Sequence, residues 1–265
     1  MVIIILGVIG GTVAVFMKRP IDAYFDTARR AGIADVADTT VRRMARDIRK
    51  ALPNSIRVVA GAGTGNDCIE FIPTRSGGRY RAQDLVQSPP DNTALRFDIA
   101  DSSFNMLGIN TAPIPLDQRV QVGDLVAVYN LGITGANAYA GDNTGTVSAV
   151  SAYSATETKI DLSTAKQFPL ESPSRRFHVI PFDEKVVSYI CSGGRLYRNA
   201  NYGYATSCPA PLAGVPLIAA NARCTFAYDA ADIRNGLVQL NLSFSESVSG
   251  ESVNIYHEVH INNTP

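Results

Sequence analysis

An uninterrupted apolar run, Met1 to Met17 (MVIIILGVIGGTVAVFM), leads through Lys18-Arg19-Pro20 directly into a segment of helical periodicity ending near Leu52. Ile21, Tyr24, Phe25, Ala28, Val36, Thr40, Met44, Ile48 and Leu52 recur at three- and four-residue spacing, the mark of an amphipathic helix. Arg29, Arg30, Asp38, Arg42, Arg46 and Arg49 fall largely on the other faces. Asp26–Arg30 and Asp38–Arg42 are acid-before-base pairs one turn apart, each worth a few tenths of a kcal/mol on an exposed face. As one rod rising about 1.5 Å per residue, residues 1–52 reach about 78 Å, longer than a small domain is wide. A globular core alone has no use for that length.

The apolar run fits a helix that is stable in lipid or against other helices. Its candidate packing positions are Ile3, Ile5, Leu6, Gly7, Gly10, Gly11, Val15 and Phe16. Gly7 and Gly11 form a G-xxx-G spacing that lets a second helix approach closely. Pro20 lacks a backbone donor and is expected to kink the rod where the apolar part ends. At about 25 Å the run falls short of the roughly 30 Å hydrocarbon core. It has no basic region ahead of it, and Lys18 and Arg19 follow it, against the orientation expected for a head outside the cytoplasm. A short basic leader and a few apolar residues before Met1 would resolve both points. The chain is therefore expected to begin downstream of its natural start.

Past Leu52-Pro53 the period changes to two. Val238, Leu240, Leu242 and Phe244 alternate with Gln239, Asn241 and Ser243, a strand with one wet face. Val186–Cys191, Ser192-Gly193-Gly194 and Arg195–Arg198 form a hairpin pattern. Further strands are expected at Ile56–Val59, Cys68–Ile72, Leu95–Ile99, Leu125–Tyr129, Thr146–Val150, Phe177–Ile180, Cys224–Tyr228 and Val253–Ile261. Ser76–Thr93 and Asn199–Val215 are expected to be surface excursions. The organisation is a helix over residues 1–52, transmembrane then amphipathic, and a β-rich head over 53–265. The class is α+β, a long N-terminal helix packed on a mostly antiparallel sheet. Cys68, Cys191, Cys208 and Cys224 are even in number in a chain that looks exported, so two disulfides are expected. Three pairings are open, with a weak preference for the short Cys191–Cys208 loop.

Zero net charge gives no electrostatic footprint for nucleic acid. His257-Glu258-Val259-His260 is one residue short of a zinc helix and sits in a strand pattern, where its two histidines point to opposite faces. His178 has no companion nucleophile motif. Gly61-Ala62-Gly63-Thr64-Gly65 precedes a strand and lacks the Lys-Ser/Thr of a phosphate loop. Gly141-Asp142-Asn143-Thr144-Gly145 offers one carboxylate, too few for calcium, and fits a turn. No catalytic constellation, metal site or cofactor site is expected.

The segments Pro20–Arg30 (PIDAYFDTARR) and Val41–Val58 (VRRMARDIRKALPNSIRV) resemble type IV pilin-like proteins, more narrowly the MshO-type minor pilins of the mannose-sensitive haemagglutinin pilus system. The resemblance continues in Cys68–Pro73 (CIEFIP) and Tyr256–Pro265 (YHEVHINNTP), and so spans most of the chain. It implies a pilin-like fold and a prepilin processed by a prepilin peptidase, methylated at its new N-terminus and handled by a pilus assembly platform. Its other partners would be membrane lipid and major and minor pilins, met through the N-terminal helix. It implies storage in the inner membrane with the head in the periplasm, then an extracellular place in the pilus, in few copies or as a primer. The family's G/F-T-L-x-E cleavage motif has no counterpart here, so no residue is assigned to cleavage or methylation. A minor pseudopilin of a type II secretion system shares the same architecture. The reading of a different class is a single-pass anchored adhesin or binding domain.

Overall fold

A computed structural model describes residues 2–59, 67–204, 214–230, 235–246 and 250–265, apart from the side chains of Val8, Ala14, Val15, Lys18, Arg19 and Ile21. One helix, α1 (Val2–Ile48), is followed by β1 (Arg57–Val59), β2 (Cys68–Phe71), β3 (Ser76–Arg79) and β4 (Asp101–Leu107). Next come β5 (Leu125–Val128), β6 (Thr144–Ala152), β7 (Glu157–Lys166), β8 (Arg176–Ile180), β9 (Val187–Ser192) and β10 (Arg195–Ala200). The chain ends in β11 (Leu217–Ala220), β12 (Ala222–Asp229), β13 (Asn235–Ser245) and β14 (Ser252–Asn262).

These strands form three sheets, ordered β1-β2-β9-β10-β11, β12-β13-β14 and β3-β8-β5-β6-β7-β4, and every strand pairing is antiparallel. The six-stranded sheet is inserted in sequence between β2 and β9, which are themselves paired neighbours. It has its own apolar core of Phe104, Val126, Val147, Ile160, Phe168 and Phe177, with Tyr80 buried at its side. The other two sheets enclose a separate core built on Phe71, Tyr189, Leu196, Phe226, Leu240 and Val259, into which the end of α1 inserts. Leu52, Ile72, Ala127, Ala138 and Ile180 form a third, small cluster.

Two expectations are corrected here. The molecule is not a long helix laid on one sheet. It is mostly β, in three sheets, and among the described side chains α1 is fully buried only over the stretch Ala37–Ile48, at Ala37, Thr40, Val41, Met44, Ala45 and Ile48, with Ile33 half-buried ahead of it. Apolar residues keep a helical spacing along the whole of α1, so what limits its burial is the reach of the sheets, which cover only this end of the helix. The second correction concerns the membrane. Among the described residues no helix is long and apolar enough to cross one. The apolar run stops at Met17, Gly7, Gly10 and Gly11 dilute it, and Lys18 and Arg19 follow at once. The transmembrane assignment of α1, the inner-membrane position with a periplasmic head, and the later extracellular place in a pilus that depended on it are therefore withdrawn. Pro20 lies inside α1, and the helix runs through it.

The strand patterns fare differently from one another. β13 carries the alternation expected for it, with Val238, Leu240, Leu242 and Phe244 buried. The β9–β10 hairpin closes through Gly193 and Gly194, both at positive φ (57° and 73°), the geometry of the tight hairpin turn that glycine adopts without strain. Leu95–Ile99 is not a strand, and Ser76–Thr93 is not wholly an excursion, because β3 and the buried Tyr80 lie in it.

Candidate functional site

The feature that sets this molecule apart is the free length of α1. Among the described side chains its large apolar residues up to Phe25 are left uncovered: Ile3 is 85 %, Phe16 79 % and Tyr24 71 % exposed, and Ile5, Leu6, Met17 and Phe25 are each more than half exposed. Their counterparts in Ala37–Ile48 are buried. Uncompensated apolar area costs about 25 cal/mol per Å2, so this surface favours any arrangement that covers it. Around Gly7, Gly10 and Gly11 nothing beyond the helix's own adjoining turns stands within 4 Å of where a Cβ would sit. Nothing within the molecule requires glycine there. Of the expected packing positions, Ile3, Ile5, Leu6, Gly7, Gly10, Gly11 and Phe16 all lie on this projecting length, and the side chain of Val15 is outside the described residues.

The helix is held to the head by polar contacts as well as by its apolar face. Asp47, in the last turn, accepts hydrogen bonds from Tyr189 Oη at 2.8 Å and Arg198 Nε at 2.9 Å. Arg198 also pairs with Glu184 at 2.7 Å. Burial, then the charge of Asp47, push the Tyr189 phenol well above its usual range, so it stays a donor. Further out, Arg30 reaches Glu251 at 2.8 Å. Asp26–Arg29 and Asp38–Arg42 are exposed pairs along the helix itself. The expected partner of Asp26 was Arg30; in the structure Arg30 is drawn to the head and Arg29 takes its place.

Below α1 the chain turns through Pro53-Asn54-Ser55, where the inserted sheet meets the rest. Asn54 sits at φ 58°, and its Nδ2 donates to the carbonyls of Asn130 (2.9 Å) and Asn263 (3.3 Å). Asn130 Nδ2 returns a bond to the Pro53 carbonyl at 2.7 Å. Gly132, at φ 69°, passes so close that a Cβ there would lie 2.8 Å from the Asn54 carbonyl oxygen. A buried ion pair reinforces the junction. Glu70, fully buried, pairs with Arg57 and accepts the Tyr202 hydroxyl, while the Arg57 guanidinium stacks 3.8 Å over Tyr139. Burial, followed by the Glu70 charge, raises the Tyr139 phenol well above its usual range. Nothing in the residue pattern singled out this cluster, since Arg57 and Glu70 meet only through the register of β1 on β2.

The chemistry expected to be absent can be placed residue by residue. His257 and His260 lie on opposite faces of β14, one half-buried and one exposed. Among the described residues no group of three or more His, Cys, Asp or Glu stands close enough to hold a metal. His178 is half-buried on β8, its buried Nε2 without a partner, and desolvation, then nearby Arg176, lower its pKa to about 4. Gly61–Gly65 lies outside the described residues. Gly141–Gly145 turns from a short 3-10 segment into β6, with Gly141 at φ 75°. The open groove of about 510 Å3 beside Ile109, Leu116, Val122 and Val150 is lined mostly by apolar and neutral side chains, and the Glu157 at its edge is committed to Arg81.

Cys191 on β9 is bonded to Cys224 on β12, which ties the five-stranded sheet to the three-stranded one across 33 residues. The short Cys191–Cys208 loop is not the one closed. Cys68 is disulfide-bonded too, and Cys208 lies outside the described residues.

No family model, no curated protein and no solved structure matches this chain.

Proposed function

We propose that this chain is a non-enzymatic structural subunit of the type IV pilin-like class, a minor pilin that enters or primes a filament through its N-terminal helix. One observation carries the reading: among the described side chains, the helix from Val2 to Phe25 leaves its large apolar residues exposed, while the same helix from Ala37 onward is firmly anchored. A rod held at one end and uncovered along the rest is a tenon. Burying it against like helices is the arrangement that removes its apolar surface from water. Contacts made head to tail in this way do not close on themselves, so they propagate into an open helical array. The resemblance of Val41–Val58 to the minor pilins supports the same reading. In the structure that stretch includes the anchor residue Asp47 and the junction residue Asn54, the parts that fix the direction in which the rod leaves the head.

The test is deletion of residues 2–29, which spares Arg30 and Ile33 on the head, from the chain in cells that produce it. Filaments should become scarce or absent, while the purified head keeps its melting transition. Filaments of normal number and composition would overturn the proposal.

A further inference from the structure

The inserted sheet carries a groove that the assembly reading leaves unused. One wall is the connection between β4 and β5, and the other is the β6–β7 hairpin around its tip. The space between them is about 510 Å3, within the roughly 300–1,000 Å3 of small-ligand clefts. Its apolar surface is aliphatic. Ile109, Leu116, Val120, Val122 and Val150 line it, and among the described residues no aromatic side chain does. Leu116 is 66 % and Val122 61 % exposed, so the described chain leaves this face uncovered.

The walls are held by bonds of their own. Asn110 spans the connection, its Nδ2 donating to the Val120 carbonyl at 2.8 Å while its Oδ1 accepts the Val120 N–H at 2.9 Å. Gln121 Nε2 donates to the Leu116 carbonyl at 3.0 Å. Opposite, Val150, Ser151 and Ala152 are paired with β7, and Thr158 Oγ1 donates to the Gly108 carbonyl at 2.8 Å, tying one wall to the other. With these main-chain groups committed, the groove offers little ladder for an extended peptide to join.

Among the described residues, two charged side chains line the groove. Glu157 is paired with Arg81 and accepts the Asn105 amide at 2.9 Å. Arg119 is different. Its Nε donates to the Ile114 carbonyl at 2.8 Å, which holds one edge of the guanidinium, and no carboxylate of the described residues is paired with it. The Nη groups remain as a fork of the kind a carboxylate accepts. An aliphatic trough with one uncompensated cation suits a molecule with an aliphatic body and one negative charge. A sugar or planar ring would find no aromatic face to stack on.

We propose that this groove binds a free aliphatic monocarboxylate of medium chain length, with Arg119 holding the carboxylate and Val122 and Val150 covering the chain. The site is separate from α1 and does not depend on how the chain assembles.

The experiment uses the full-length chain and a decanoate carrying a photoreactive diazirine on its tail, with the labelled peptides located by mass spectrometry. Because α1 offers apolar surface of its own, the position of the label is the readout. Label should saturate on peptides covering residues 109–122 and 150–158. Decanoate should compete for it about tenfold more effectively than decanol, the effect of one charge-assisted contact. Arg119→Gln should lower the groove label about tenfold and Arg119→Lys far less, with the label on α1 unchanged in both. Val122→Trp fills the trough from an exposed position and should abolish the groove label while the urea melt stays as in the parent chain. Label confined to α1 or absent overturns the proposal. So does groove label that decanol competes for as well as decanoate, or that survives Arg119→Gln and Val122→Trp.

Discussion

Tyr189 Oη lies 2.8 Å from Asp47 Oδ2, and this contact joins the last turn of the helix to the middle strand of the five-stranded sheet. Both partners are largely shielded from water, and Arg198 completes the arrangement from the neighbouring strand β10. The aim of a rod more than forty residues long is thus fixed by a carboxylate near its foot. An error of a few degrees there displaces the far end by several ångströms.

Asp47→Ala removes the acceptor and leaves Tyr189 as a buried hydroxyl without a partner. The expected cost is about 1–3 kcal/mol, since Arg198 keeps Glu184. Tyr189→Phe should cost less, about 1 kcal/mol, because Arg198 continues to satisfy Asp47. Urea unfolding of the two variants gives the ordering. Equal costs would show that the Tyr189 bond, not the carboxylate, governs the joint.

The Cys191–Cys224 bond closes a loop of 33 residues and links two sheets that share one core. In the chain-entropy account a loop of that size is worth about 4 kcal/mol. Replacing both cysteines by alanine should lower stability by roughly that amount and leave α1 in place, as read by urea melts and far-ultraviolet circular dichroism. Loss below about 1 kcal/mol would mean that the shared core already holds the sheets together.

Parts of this fold are legible from residue order, for a physical reason. β13 reads itself because one face is wet and the other dry, and the β9–β10 hairpin because its Gly-Gly pair suits a tight turn with both residues at positive φ. The inserted sheet is harder. β3 is Ser-Gly-Gly-Arg, hardly a strand by composition, yet Gly77 runs so near β8 that a Cβ would lie 2.8 Å from the Phe177 carbonyl oxygen. β4 hides Ser103 and Asn105, and Asn105 is tolerated in the interior because Glu157 on β7 accepts its amide at 2.9 Å. Such long-range partners leave no periodic trace. The same holds for Arg57–Glu70 beneath the helix. The helix itself was legible in existence and extent but not in how little of it packs, which depends on where the sheets end.

His178 offers a pH test of the inserted sheet. Its imidazole is desolvated beside Arg176, and its pKa falls from 6.5 to about 4. A folded pKa below the unfolded one means that the unfolded chain takes up the proton first. Stability is then full above pH 6.5 and is lost as pH falls from there toward 4, by up to about 3 kcal/mol. His178→Phe should flatten that part of the pH profile of urea unfolding. An unchanged slope would assign it to other groups.

Gly11→Leu separates the fold from the assembly. Beyond the adjoining turns of its own helix, nothing lies within 4 Å of a Cβ at Gly11, so leucine has room and the helix gains a better former. The head should melt as before. In an assembled array the same side chain would stand where a neighbouring helix comes close, and the G-xxx-G surface formed with Gly7 would be filled. Incorporation should fall about tenfold, equivalent to about 1.4 kcal/mol per contact. The measurement is the amount of variant in purified filaments against wild type at matched cellular levels. Gly32→Leu is the control. Gly32 also has open space around it, but it lies outside the G-xxx-G spacing and should lose far less. If the two substitutions act alike, close approach at Gly11 is not what brings the helices together.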